Sequence, residues 1–195
     1  MKVSIARFVQ LASFLAVMLV LGGCAGPARV DQMQTTSSMA ARTAAANSPM
    51  KEAISVKDVT GGKETNPLWI SNVSSADFSR ALEASLKDAG LLSANNQGSK
   101  YLLVAHLQKL DQPFAGASMT VTATVQYTLI DRVTNKDVFS RTVSLPYTAA
   151  WNAAFAGAER LRLANEGAIR VNIQDLIDAL VAAKISIAAP VSVGG

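Results

Sequence analysis

Between Met119 and Leu129 the chain reads MTVTATVQYTL. Met119, Val121, Ala123, Val125, Tyr127 and Leu129 alternate with Thr120, Thr122, Thr124, Gln126 and Thr128. A period of two puts one set on each face of a strand, so this stretch predicts a strand with one face buried and the other wet or partnered. The turn DRVTNKD follows, and then a second strand from Val138 to Leu145, which makes a hairpin. Pro146 is expected to stop that strand. Tyr101 to Leu110 is apolar on both faces through Leu102, Leu103, Val104 and Ala105, which suits a central position. Ala53 to Val59 alternates weakly and reads as a strand ended by Gly61-Gly62.

Two stretches carry helical spacing instead. Ser74 with Asp77 three residues on forms a capping-box variant, and Phe78, Leu82, Leu86 and Ala89 follow at intervals near 3.6. Gly90 closes that helix. From Gly157 to Ala183, Ile169, Ile173, Leu176, Ile177 and Leu180 form an apolar stripe. Gly167 sits within it, where glycine costs about 1 kcal/mol against alanine, and marks close packing on the sheet. The order β-α-β-β-β-α predicts an α+β two-layer sandwich, a mainly antiparallel sheet with two helices on one face. Residues 53–183 make one ordinary domain without internal repeats.

The N-terminus has a different character. Lys2 and Arg7 precede a mostly apolar run from Phe8 to Leu21, too short to span a bilayer comfortably. A basic start, a short apolar core and then small residues read as a secretory signal peptide over 1–23. Leu21-Gly22-Gly23-Cys24 resembles the lipobox of bacterial lipoproteins. That resemblance implies cleavage between Gly23 and Cys24, a diacylglyceryl group on the Cys24 sulfur and an acyl chain of the palmitate class on its amine. One such chain holds a protein only marginally at a membrane, and two or three hold it durably. Ala25 stands where an aspartate would resemble an inner-membrane retention signal, so the outer membrane is expected. Residues 24–52 are small and polar, without an aromatic residue, and read as a flexible tether. As a coil this tether would reach roughly 30 Å. A weak helix from Ser38 to Ala46 falls inside it. The tail, 184–195, is expected to be loose or to add a short strand.

Cys24 is the only cysteine and His106 the only histidine. No disulfide can form within the chain, and no Cys/His cluster is available for zinc. No metal and no cofactor is expected. Taking Lys2 and Arg7 from the 18 basic residues leaves 16 against 14 acidic ones, scattered and without aromatic interleaving, so nucleic-acid binding is disfavoured.

Three stretches remain as candidates for function. His106 sits mid-strand, where a partly buried structural role outweighs a catalytic one, and no G-x-S-x-G, H-E-x-x-H or P-loop accompanies it. GGKETNPLWISNVSS places Trp69 and Ile70 in a loop, either as a cover on the core or as a recognition loop. Tyr147, Trp151 and Phe155 are spaced by four and would line one face of a helix, as core or as a contact surface for a partner or lipid. In ERLRLANEGAIR, Glu159, Arg162 and Glu166 read as ion pairs on a solvated helix face.

The segments GGKETNPLWISNVSSADFSRALEASLKDAG, LDQPFAGASMTVTATVQYTL and AERLRLANEGAIRVNI resemble parts of small proteobacterial outer-membrane lipoproteins over about Val56 to Leu180. Some of those relatives carry the label UDP-N-acetylglucosamine acyltransferase. Acyltransferases of that kind are built on hexapeptide repeats with a catalytic histidine. No such repeat occurs here, so the resemblance supplies no catalytic residues. The resulting expectation is a membrane-anchored envelope lipoprotein without evident catalysis, whose periplasmic domain binds an envelope protein or a lipid-like ligand. The alternative is an enzyme acting on envelope glycolipid or glycan, with His106 in a pocket beside carboxylates.

Overall fold

The computed structural model describes residues 25–67 and 70–183. The expected signal peptide, the Gly23-Cys24 junction, Trp69 and the tail 184–195 lie outside the described residues. Among the described residues eight elements follow in order: α1 (Val30–Met33), α2 (Met39–Ala46), β1 (Ile54–Thr60), α3 (Ser75–Asp88), β2 (Tyr101–Asp111), β3 (Met119–Asp131), β4 (Asp137–Ala149) and α4 (Gly157–Ala182). From β1 onward this is the expected β-α-β-β-β-α order. The strands form one sheet in the order β1-β2-β3-β4. β1 runs parallel to β2, and the other two pairs are antiparallel.

The alternation of β3 sorts its side chains as expected. Val121, Ala123, Val125, Tyr127 and Leu129 are fully buried beneath the helices. On the opposite face, Thr120 bonds Thr148 at 2.8 Å, and Thr124 bonds Ser144 at 2.9 Å. Such cross-strand hydroxyl pairs add stability without needing a cover. β2 is central, as its two-sided apolarity implies. β4 runs past Pro146 to Ala149, a correction to the expected stop. It is an edge strand, where a proline whose N–H would face outward costs no ladder bond.

α3 begins as its sequence specifies, with the Ser74 hydroxyl accepting from the Asp77 N–H at 3.1 Å, and ends at Gly90 with φ +75°. Phe78, Leu82 and Leu86 are fully buried on its inner face. In α4 the stripe Ile169, Ile173, Leu176, Ile177 and Leu180 is fully buried, each side chain contributing roughly 1.5–3 kcal/mol of apolar transfer. A Cβ on Gly167 would come within 2.1 Å of the Tyr147 ring, so only glycine lets α4 approach β4 this closely. Between helix and sheet, Asn172 donates to the carbonyls of Ala123 and Val143 at 3.0 and 3.1 Å and accepts from the Tyr127 hydroxyl at 2.8 Å. Burial, reinforced by the Asp175 carboxylate, pushes the Tyr127 hydroxyl well above the ordinary phenol range.

The segment expected as a flexible tether is instead a strap on the outside of the helix layer. Met33, Ala45 and Met50 are fully buried and join the main core. α1 packs against both α3 and α4. The Thr35 N–H donates to Ser85 Oγ of α3 at 3.1 Å, while the Thr35 hydroxyl donates to Gln174 of α4. Asp88 accepts from the Ser37 N–H and from Arg42, both at 2.7 Å. The helix expected inside this segment is α2, whose N-cap Ser38 accepts from the Ala41 N–H. A few well-placed contacts hold what the composition alone leaves loose.

Candidate functional site

The strap begins at the end of the sheet where α4 starts. The Ala25 N–H donates to the Pro67 carbonyl at 2.9 Å and the Ala28 N–H to that of Asn72 at 3.3 Å. Gly26 lies against the Arg162 guanidinium. Arg29 then closes on Glu166 with its backbone N–H, Nε and Nη2, each at 2.9 Å. Glu166 is 1% exposed. The paired charge compensates a carboxylate taken out of water, which would otherwise be costly. Glu166 in turn raises the pKa of Arg29, chiefly through their hydrogen bonds. This corrects the expectation of a solvated helix face. Glu159 and Arg162 do pair within α4, at 2.5 Å, but Glu166 serves the strap.

Two further loops meet the same end. Gln112, just after β2, donates to Asn165 Oδ1 and to the Ser71 carbonyl, both at 2.8 Å, and Asn165 Nδ2 donates to that carbonyl as well. The loop 61–73, β2 and α4 are thereby tied together. In the β4–α4 loop, Arg160 Nη1 donates to the carbonyls of Ala154 and Phe155 at 2.7 and 3.0 Å. This clamp fixes the backbone of Phe155 while its side chain stands fully in solvent, 105% exposed.

The expected aromatic face does not form. Tyr147 lies in β4 and turns toward α4, stacked under Arg170 at 5.3 Å, whereas Trp151 and Phe155 are on the loop beyond it. Spacing by four matters only on a helix, and β4 carries the chain past that point. Trp151 is 69% exposed. Sequence reasoning missed Phe114, in the β2–β3 loop, which is fully exposed. A lone phenylalanine between Pro113 and Ala115 gives no periodic signal. Phe114, Trp151 and Phe155 are thus exposed on two loops at one end of the sheet.

His106 is exposed on the uncovered face of the sheet, a correction to the partly buried position expected. Its Nδ1 hydrogen-bonds the Thr60 hydroxyl at 2.8 Å. Alternation decides this, because Ala105 and Leu107 take the covered side. A cavity of about 370 Å³ opens nearby, where β2 continues beyond the end of β1, lined by Lys63, Ile70, Asn72, Leu107, Lys109 and Gln112 among others. Among the described residues, no group of three or more His, Cys, Asp or Glu could hold a metal ion. None of their helices is long and apolar enough to cross a membrane.

No family model matches the chain, and no curated protein matches it. Several solved structures have a similar chain trace. A DUF330 protein from Xanthomonas campestris is 14% identical, with a TM-score of 0.49, over 67% of this chain and 81% of that one. PelC from Paraburkholderia phytofirmans, crystallised as a dodecamer, is 14% identical, with a TM-score of 0.47, over 67% and 89%. A minor lipoprotein from Acinetobacter baumannii is 14% identical, with a TM-score of 0.40, over 66% and 88%.

Proposed function

We propose that this chain is a lipid-anchored protein of the Gram-negative cell envelope, held through Cys24 at the periplasmic face of the outer membrane. Its α+β domain binds another envelope component, a protein or a lipid-like molecule. The observation that carries the reading is the order of parts: a basic start, a short apolar run, Leu-Gly-Gly-Cys, and then a folded body. The exposed aromatics on two loops at the end where the strap begins support a contact role, since large apolar side chains held in solvent at one end of a domain suit an interaction surface.

Mass spectrometry of the mature N-terminus tests the anchor. The expected result is Cys24 as first residue, carrying a diacylglyceryl group and an N-acyl chain, and an uncleaved precursor for Cys24→Ser. An unmodified thiol at Cys24 in the wild-type protein overturns it. Capture from detergent-solubilised envelopes with the anchored protein then identifies the bound component.

A further inference from the structure

We propose that the end of the domain bearing Phe114, Trp151 and Phe155 is seated directly on the bilayer, with those three side chains entering its interface. The inference rests on the anchor at Cys24. It adds what the anchor alone leaves open, which is the orientation of the domain.

The chain that follows the anchor has no slack. Consecutive Cα atoms are about 3.8 Å apart, so Cys24 lies one residue's reach from Ala25. Ala25 is buried and hydrogen-bonded to Pro67, and Arg29 is locked to Glu166. A lipid on Cys24 therefore enters the membrane within a few ångströms of the folded body. A flexible tether would let the domain tumble well clear of the bilayer, whereas a fixed strap brings one end of the body down onto it.

That end is the one with the exposed aromatics. The strap start, the loop 61–73, the β2–β3 loop and the β4–α4 loop converge on the first turns of α4 through Arg162, Gln112–Asn165 and Arg160. Five large apolar side chains stand exposed among the described residues, and all the aromatic ones, Phe114, Trp151 and Phe155, belong to these two loops. Aromatic rings favour the membrane interface, tryptophan above all. Of the charges nearby, Arg162 pairs with Glu159, Arg29 with Glu166 and Lys109 with Asp111 at 2.7 Å, while Arg160 is held by two backbone carbonyls. With most of these cations paired or bonded within the protein, the aromatic side chains carry the seating.

The test uses the lipid-bearing mature protein in phosphatidylethanolamine vesicles whose acyl chains carry bromine, a short-range quencher of tryptophan. The chain has two tryptophans, so Trp69→Phe leaves Trp151 as the sole tryptophan, read by exciting at the red edge of the indole band, where tyrosine does not absorb. The expected result is a blue shift and loss of Trp151 emission against unbrominated vesicles, persisting at high salt and reduced in Phe114→Ser/Phe155→Ser. Should Trp69→Phe fail to fold, the quenching lost on Trp151→Phe in the otherwise unchanged chain reads the same quantity. Unquenched, water-like emission from protein with lipid confirmed on Cys24 overturns the seating and spares the anchor. A blue shift without quenching, together with multimers in sedimentation, assigns the surface to a second copy and also overturns it. Quenching abolished by salt overturns the apolar account. An unmodified Cys24 removes the anchor and the seating with it.

Discussion

The sheet with its two long helices and the strap of residues 25–52 are held by different physics. In the body, whole faces match. The α4 stripe and the inner face of β3 bury side chain after side chain, and removing one leaves many others in place. The strap has no such face. It relies on Met33, Ala45 and Met50 in the core and on point contacts, foremost Arg29 with Glu166. Distributed burial makes an element fold with the whole, whereas point anchors make one that can be released locally.

The largest expected effect lies in the body. Phe78→Ala removes a fully buried ring and should cost about 3–5 kcal/mol, lowering the melting temperature of strap and sheet together. Arg29→Ala comes next: it removes the guanidinium and leaves the buried Glu166 with the backbone N–H at position 29 and Arg162 Nε at 4.0 Å, and should cost about 3 kcal/mol. Hydrogen exchange should rise over residues 25–50 while β2 and β3 keep their protection. The reverse change, Glu166→Gln, should cost about half as much, because the Arg29 side chain is 39% exposed and can turn to water. Exchange rising equally across strap and sheet in Arg29→Ala would erase the distinction between the two regions.

Tyr127→Phe is a smaller change, about 1 kcal/mol, through the lost bond to Asn172. Its sharper signature is in pH. The folded Tyr127 hydroxyl has a raised pKa, so its contribution is fully present below the unfolded value near 10. It is lost as pH rises toward the folded value, because only the unfolded chain gives up that proton. Stability of the wild type should therefore fall more steeply above pH 10 than that of Tyr127→Phe, and equal slopes in denaturant titrations would refute the account. Smallest of all is Trp151→Ala, a surface change expected to move stability by less than about 0.5 kcal/mol. A marked drop in its melting temperature would place Trp151 in the core and remove it from any contact surface.

The candidate site was only half legible in advance. Trp151 and Phe155 stand out as aromatics among alanines, and the structure leaves both exposed, though on a loop and not on a helix. Tyr147 shares their spacing but belongs to β4, because pairing with Val121 on β3 carries that strand past Pro146. Phe114 had no sequence signal, since exposure of a lone loop residue depends on what the rest of the chain brings near it.

What the sequence determined by itself follows from periodicity and local chemistry. The alternation from Met119 to Leu129, the Ser74 cap, the Gly90 stop and the α4 stripe each act within a few residues, where neighbours along the chain fix which face turns inward. Tertiary structure alone decided the rest. Glu166 is separated from Arg29 by 137 positions, and no local pattern marks a carboxylate that will accept a partner from so far away. The strap looks like a tether because its composition is that of disordered chain. It is ordered because α3 and α4 together present a surface that its few methionines and polar hooks can fill, and that surface exists only once both helices have packed on the sheet.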